Sequence, residues 1–136
     1  MTLIVCVDDE LGMASCGKRQ SRDRALCEDI VAFAEGKTIR MDPRSAKLFE
    51  GLGGNIETGG ALSDCTEAGT CCFAEFEPVR QLAERAHTLV IYRWNRHYPS
   101  DLRFDVPLEE WRLHAVTEFA GTSHEIITRE VYIHEN

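Results

Sequence analysis

The chain is 136 residues long, 43% hydrophobic and 28% charged, and its formal net charge is −8. That length supports one domain, spanning 1–136, with a single core. The acidic balance leaves no general positive field for nucleic-acid phosphates or anionic lipid, so neither nucleic acid nor membrane is expected as a partner.

The opening MTLIVCVDD has a short apolar run with no basic region before it and two acids right after it. It reads as neither a secretory signal nor a transmembrane span, and points to a buried first strand in a cytoplasmic protein. Within it LIVCV is continuously apolar, the pattern of a central strand covered on both faces. The six cysteines are Cys6, Cys16, Cys27, Cys65, Cys71 and Cys72. In such a chain they read as reduced thiols, Cys6 and Cys72 as small core residues. No Cys-x2-Cys pair occurs and the five histidines form no matching cluster, so no metal is expected.

GMASCGKRQSRDR then reads as a glycine-punctuated basic loop, and RALCEDIVAFAEG as a helix with Leu26, Ile30 and Phe33 on one face, stopped at Gly36. KTIRM and SAKLFEGL repeat the strand-to-helix order. The glycine-rich stretch that follows holds at most one short strand, around Asn55 to Glu57. TCCFAEF and HTLVIYRW are two further strands, separated by the helical PVRQLAERA with Val79, Leu82, Ala83 and Ala86 on one face. Strands alternating with helices predict a mostly parallel sheet. The ending differs: EEWRLHAVTEFA, a turn at Gly121 and HEIITREVYIHE predict a C-terminal antiparallel hairpin joined by a tight connection.

In that order the pieces resemble dihydrofolate reductase. IVCVDDELGMA is similar to the family's first strand and glycine-bearing loop, and EDIVAF to its substrate helix, with Asp29 four residues before Phe33. GKTIRMDPRSAKLF resembles the strand plus Met-Gly-Arg-x-Thr turn, and RAHTLVIYRWN, DLRFDVPLEEW and SHEIITREVYI resemble the last three strands. The resemblance implies a three-layer α/β fold with helices on both faces of the sheet. The chain is also similar to small bacterial proteins labelled ribonuclease Z, yet it has no His-x-His-x-Asp-His metal motif.

The resembled family seats NADPH phosphates on two glycine turns, and here both are altered. Met41 is followed by Asp42, Pro43, Arg44 and Ser45; proline removes an amide donor, and Asp42 as N-cap takes the next amides and repels an anion. At the second turn Ala74, Glu75 and Phe76 stand where the glycines would be, and Glu77 and Pro78 are expected to start the helix. Only about twenty residues separate Phe49 from Cys71, too few for the family's adenosine subdomain. No cofactor is expected, although Asp-Pro is also an ordinary helix start in any α/β protein.

The resemblance places one buried carboxylate on the substrate helix, with Asp29 the positional match and Glu28 or Asp23 within a shift of it. Tyr92 falls on a strand position near the family's substrate, and reads equally as a core aromatic. Lys18, Arg19, Arg22 and Arg24 concentrate charge on an otherwise acidic chain. They form either a solvated surface or an anion clamp over a cleft floored by Asp29 and Tyr92, with Asp23 pairing one arginine. Trp94, Arg96, His97, Tyr98 and Arg103 form a basic-aromatic mixture of the kind that stacks single-stranded bases. No Ser-His-Asp or Cys-His constellation is expected, because the histidines lie far from any nucleophile in the order of elements.

The function expected first is a non-catalytic module that binds a small planar or anionic ligand, or a protein partner. A divergent NADPH-dependent reductase, using Arg44 and the basic loop in place of the glycines, is the alternative from the enzyme class. A nuclease ranks third, since the acids show no metal pattern.

Overall fold

The computed structural model describes residues 1–65 and 67–134. Its main sheet has seven strands. The apolar opening forms β1 (Thr2–Val7) at the centre, because both faces of LIVCV must be covered. β2 (Gly12–Ser15) and β3 (Lys18–Arg19) follow, then α1 (Arg24–Ala34), β4 (Thr38–Arg40), α2 (Pro43–Ala46), β5 (Asn55–Glu57), β6 (Cys71–Phe73), α3 (Arg80–Arg85), β7 (Thr88–Arg93) and β8 (Leu102–Arg103). β9 (Trp111–Phe119) and β10 (Ile127–His134) close the chain.

The order across the main sheet is β5-β4-β6-β1-β7-β10-β9. β1 pairs in parallel with β6 and β7, and β10 runs antiparallel to both β7 and β9. The parallel sheet with a C-terminal antiparallel pair therefore has the predicted form. Alternation along β1 splits the core: Leu3, Val5 and Val7 face α3, whereas Ile4 and Cys6 face α1. Helices cover both faces, giving three layers.

Helix α1 exists because Leu26, Cys27, Ile30 and Ala34 recur on one buried face. Full burial of a side chain such as Leu26 or Ile30 stabilises the fold by about 1.5–3 kcal/mol. Phe33 lies beside this face, half-buried. Glu35 (φ 50°) and Gly36 (φ 83°) end the helix in left-handed conformations, with the Lys37 amide donating to the Ala34 carbonyl.

Three local expectations are corrected. The basic stretch is not simply a loop: Gly12–Ser15 and Lys18–Arg19 form a hairpin whose two turn residues, Cys16 and Gly17, both have positive φ (52° and 72°). β8 pairs with β2 on the other side. α3 starts at Arg80 rather than at Glu77, and Val79 precedes it with no side-chain cap. The connection between β9 and β10 is long, covering residues 120–126, because His124 is drawn inward instead of continuing the strand.

Among the described residues no helix is long and apolar enough to cross a membrane. All six cysteines are unbonded thiols. Burial pushes the Cys27 thiol up to about 12, with Glu75 and Asp23 adding to the effect.

Candidate functional site

The joint between β4 and α2 is closed by its own side chains. Asp42 accepts from the Arg44 amide at 2.7 Å, while the Ser45 and Ala46 amides donate to the Asp42 carbonyl at 2.9 and 3.1 Å. Pro43 has no amide to offer. The Arg44 guanidinium folds back onto Asp42 at 3.1 Å and lies 3.9 Å over the Phe76 ring. Its hydrogen bond holds the Asp42 carboxyl below the usual range.

The second turn fills the adjoining space. Glu75 is 8% exposed and receives both Nε and Nη2 of Arg19, at 3.2 and 2.9 Å, together with the Ser45 hydroxyl at 2.7 Å. This two-pronged geometry orients Arg19 and satisfies the buried carboxylate. Ala74 is fully buried, and its amide donates to the Ile4 carbonyl at 3.0 Å. Burial pushes the Glu77 carboxyl up, and the negative charge of Asp42 adds to the shift.

Beside these turns lies an open cleft of about 540 Å³ between the β2–β3 hairpin and the segment after α2, walled by Lys18, Arg22, Lys47, Leu48 and Phe76. A second hollow of about 380 Å³ shares Arg22, Lys47 and Leu48 with it and extends to Asp23, Arg24 and Cys27. Arg19 and Arg44 are neutralised by Glu75 and Asp42. Among the described residues Lys18, Arg22 and Lys47 have no ion-pair or side-chain hydrogen-bond partner. Arg24 is likewise unpaired, so four cations face the joined space together with the Asp23 and Glu50 carboxylates, and Leu48 and Phe76 form its apolar surface.

The expected cleft floored by Asp29 and Tyr92 is not the arrangement found. Asp29 Oδ2 accepts from the Tyr92 hydroxyl at 2.6 Å and from Arg129 Nη1 at 2.7 Å, on the side of α1 that faces β7 and β10. The two candidates come together, but with each other and with a third group that sequence reasoning missed. Arg129 stacks over Phe33 at 5.1 Å and shares its inward face with Ile127 and Val131. A cation in the apolar phase of an alternating strand was the available signal. Burial and the Asp29 charge keep the Tyr92 phenol protonated well beyond its ordinary range.

Asp23 pairs with no arginine. It is 2% exposed and caps α1 by accepting from the Leu26 amide at 3.2 Å. It also takes the Thr122 and Ser123 amides at 2.9 and 2.8 Å and contacts His124 Nδ1 at 3.0 Å. Burial alone would raise its pKa, but these donors outweigh it and hold the carboxyl below the usual range. An ionised Asp23 can only accept, so Nδ1 carries the proton, and in the neutral imidazole Nε2 then accepts from the Tyr98 hydroxyl at 2.7 Å. Ser21 Oγ lies 3.4 Å from the same nitrogen.

This overturns the expectation that no Ser-His-Asp constellation forms, since the fold brings residues 21, 23 and 124 together. His124 is 4% exposed, stacks on Trp94 with ring centroids 4.8 Å apart, and has its acceptor nitrogen occupied by the closer phenol. The arrangement ties the β9–β10 connection to the start of α1. It also engages Trp94 and Tyr98, so these two aromatics of the basic-aromatic mixture pack inward.

No family model matches the sequence, and no curated protein matches it. Among solved structures the chain is similar to dihydrofolate reductase from Enterococcus faecalis complexed with NADP(H) and RAB-propyl, with a TM-score of 0.65 at 12% identity. The match covers 99% of this chain and 96% of that one. The protein has a dihydrofolate reductase-like fold.

Proposed function

We infer that the chain is a non-catalytic binding module for a small planar or anionic ligand, taken in the joined cleft between the β2–β3 hairpin, α1 and the segment after α2. The observation carrying this reading is that, among the described residues, Lys18, Arg22, Arg24 and Lys47 line the joined cleft without partners and outnumber its Asp23 and Glu50 carboxylates, while the nearby Arg19 and Arg44 are neutralised. Unpaired cations gathered around one space repel one another until an anion lies among them. The volume is in the range of small-molecule sites, and Phe76 and Leu48 give a planar group apolar contact.

The reductase reading, with Arg44 and the basic loop in place of the glycines, requires open amides or converging cations within reach of one cleft, and Arg44 is already held by Asp42. The amides at the start of α2 are bound internally, and the Glu75 carboxylate stands between the two turns. At those turns, as distinct from the cleft, an incoming pyrophosphate would find no open amide.

Thermal shift with pyrophosphate and with NADPH tests the reading. Pyrophosphate is expected to raise the melting temperature in a saturable way, and Arg22→Glu to remove the effect. No shift with pyrophosphate would end the anion-binding reading, and saturable NADPH binding at low micromolar concentration would move the assignment to the reductase.

A further inference from the structure

β9 is the outermost strand of the main sheet, and its residues 112–118 are all exposed. Its outer row of backbone donors and acceptors has no neighbour among the described residues. The edge is bulged, but WRLHAVTEF holds no lysine or proline, and its only charges are Arg112 and Glu118, one near each end. Instead it carries Leu113 at 50% and Val116 at 52% exposure, two of the three large apolar side chains left in solvent.

The pairing with β10 shows why these two belong together. Ala115 is opposite Val131 and Leu113 is opposite Tyr132, so His114 is an extra residue in a β-bulge. Val116 is opposite Glu130, and positions 130 and 132 share a face of β10. The bulge therefore puts Leu113 and Val116 on one face although they are three residues apart. It also makes the sequence of facings from 111 to 118 the same read in either direction, with its centre between His114 and Ala115.

We propose that β9 is a homodimer interface, in which a second copy adds its own β9 antiparallel across this edge about a two-fold axis normal to the sheet. That register sets Leu113 against the partner's Val116 and Val116 against the partner's Leu113, covering both exposed apolar side chains at once. Arg112 meets the partner's Thr117, and Trp111 the partner's Glu118, so no like charges are opposed. The strand holds one arginine and one glutamate, which makes it a neutral strip on a chain of net charge −8 and the edge on which two copies repel least. The facing pattern, the apolar pair and the local neutrality all select a second copy of this chain as the occupant.

Sedimentation equilibrium of the full chain across a concentration series is the test. The expected result is a reversible monomer–dimer equilibrium, with Val116→Arg raising the dissociation constant at least about tenfold while the dilute variant keeps the wild-type circular dichroism and melting temperature. Leu113→Lys, which alters the other half of the same contact, provides the same reading should Val116→Arg fail to fold. A wild-type chain that stays monomeric into the high micromolar range overturns the proposal. So does a dimer that neither substitution weakens.

Discussion

Arg19 and Glu75 are 56 positions apart in the chain, yet the guanidinium and the carboxylate meet through two hydrogen bonds of 3.2 and 2.9 Å. The pair joins the β2–β3 hairpin to the turn after β6, and the Ser45 hydroxyl adds the start of α2 to the same knot. Glu75→Ala would leave Arg19 uncompensated. Because Arg19 is partly in solvent, the expected loss is about 1–3 kcal/mol, less than for a fully buried pair. Glu75→Gln, which keeps an acceptor for Ser45, is expected to lose less. Urea unfolding of the two variants measures both, and equal losses would contradict a role for the charge.

The Tyr92 hydroxyl is held by Asp29 inside the layer between α1 and β7. Tyr92→Phe removes a hydrogen bond to a charged acceptor without opening a cavity, so a loss of about 1.5–3 kcal/mol is expected. Asp29 keeps Arg129 in that variant, and the melting curve should remain a single transition. An unchanged midpoint would show that the contact contributes nothing.

Acid stability should report Asp23. Its carboxyl is depressed in the folded state, so its contribution is complete above the unfolded value near 4 and is lost as pH falls through the lower folded value. Asp23→Asn is expected to be less stable than wild type at neutral pH and to converge on it as pH falls through the depressed folded value of Asp23. Denaturant midpoints measured from pH 7 downward give the comparison; parallel curves would remove Asp23 from the account.

Gly121 lies against this same cap. A Cβ there would stand 2.6 Å from both Asp23 Oδ2 and the His124 carbonyl, and the latter is backbone that cannot swing aside. Gly121→Ala is expected to cost about 1–3 kcal/mol, the usual range for overpacking. Calorimetry is sufficient to detect it, and a neutral result would mean that the β9–β10 connection yields easily.

Thiol chemistry separates Cys16 from the rest. It sits exposed at the hairpin turn, whereas the other five are buried, and burial raises the pKa of each of those five. In the folded protein one equivalent of an aromatic disulfide reagent should react rapidly, and six after unfolding. The Cys16→Ser variant should show no rapid phase.

The order of elements was legible along the chain because periodicity is a local property. LIVCV announced a central strand, the Leu26 and Ile30 spacing announced α1, and the alternation after Trp111 announced the final antiparallel pair. Asp42 as the N-cap of α2 was equally local, since the cap and the amide it serves are two residues apart. Where each charge finds its partner was not local. Asp29 and Arg129 are 100 positions apart, and Asp23 and His124 are 101 apart. The pattern of either neighbourhood is compatible with solvent, with a ligand or with another side chain, and only the folding of α1 across β7 and β10 chooses among them. Hence Asp23, expected beside an arginine, is the buried anchor of a histidine, and Glu75 takes the arginine. The bulge at His114 has the same character: strict alternation in the sequence places Leu113 and Val116 on opposite faces, and only pairing with β10 turns them to one side.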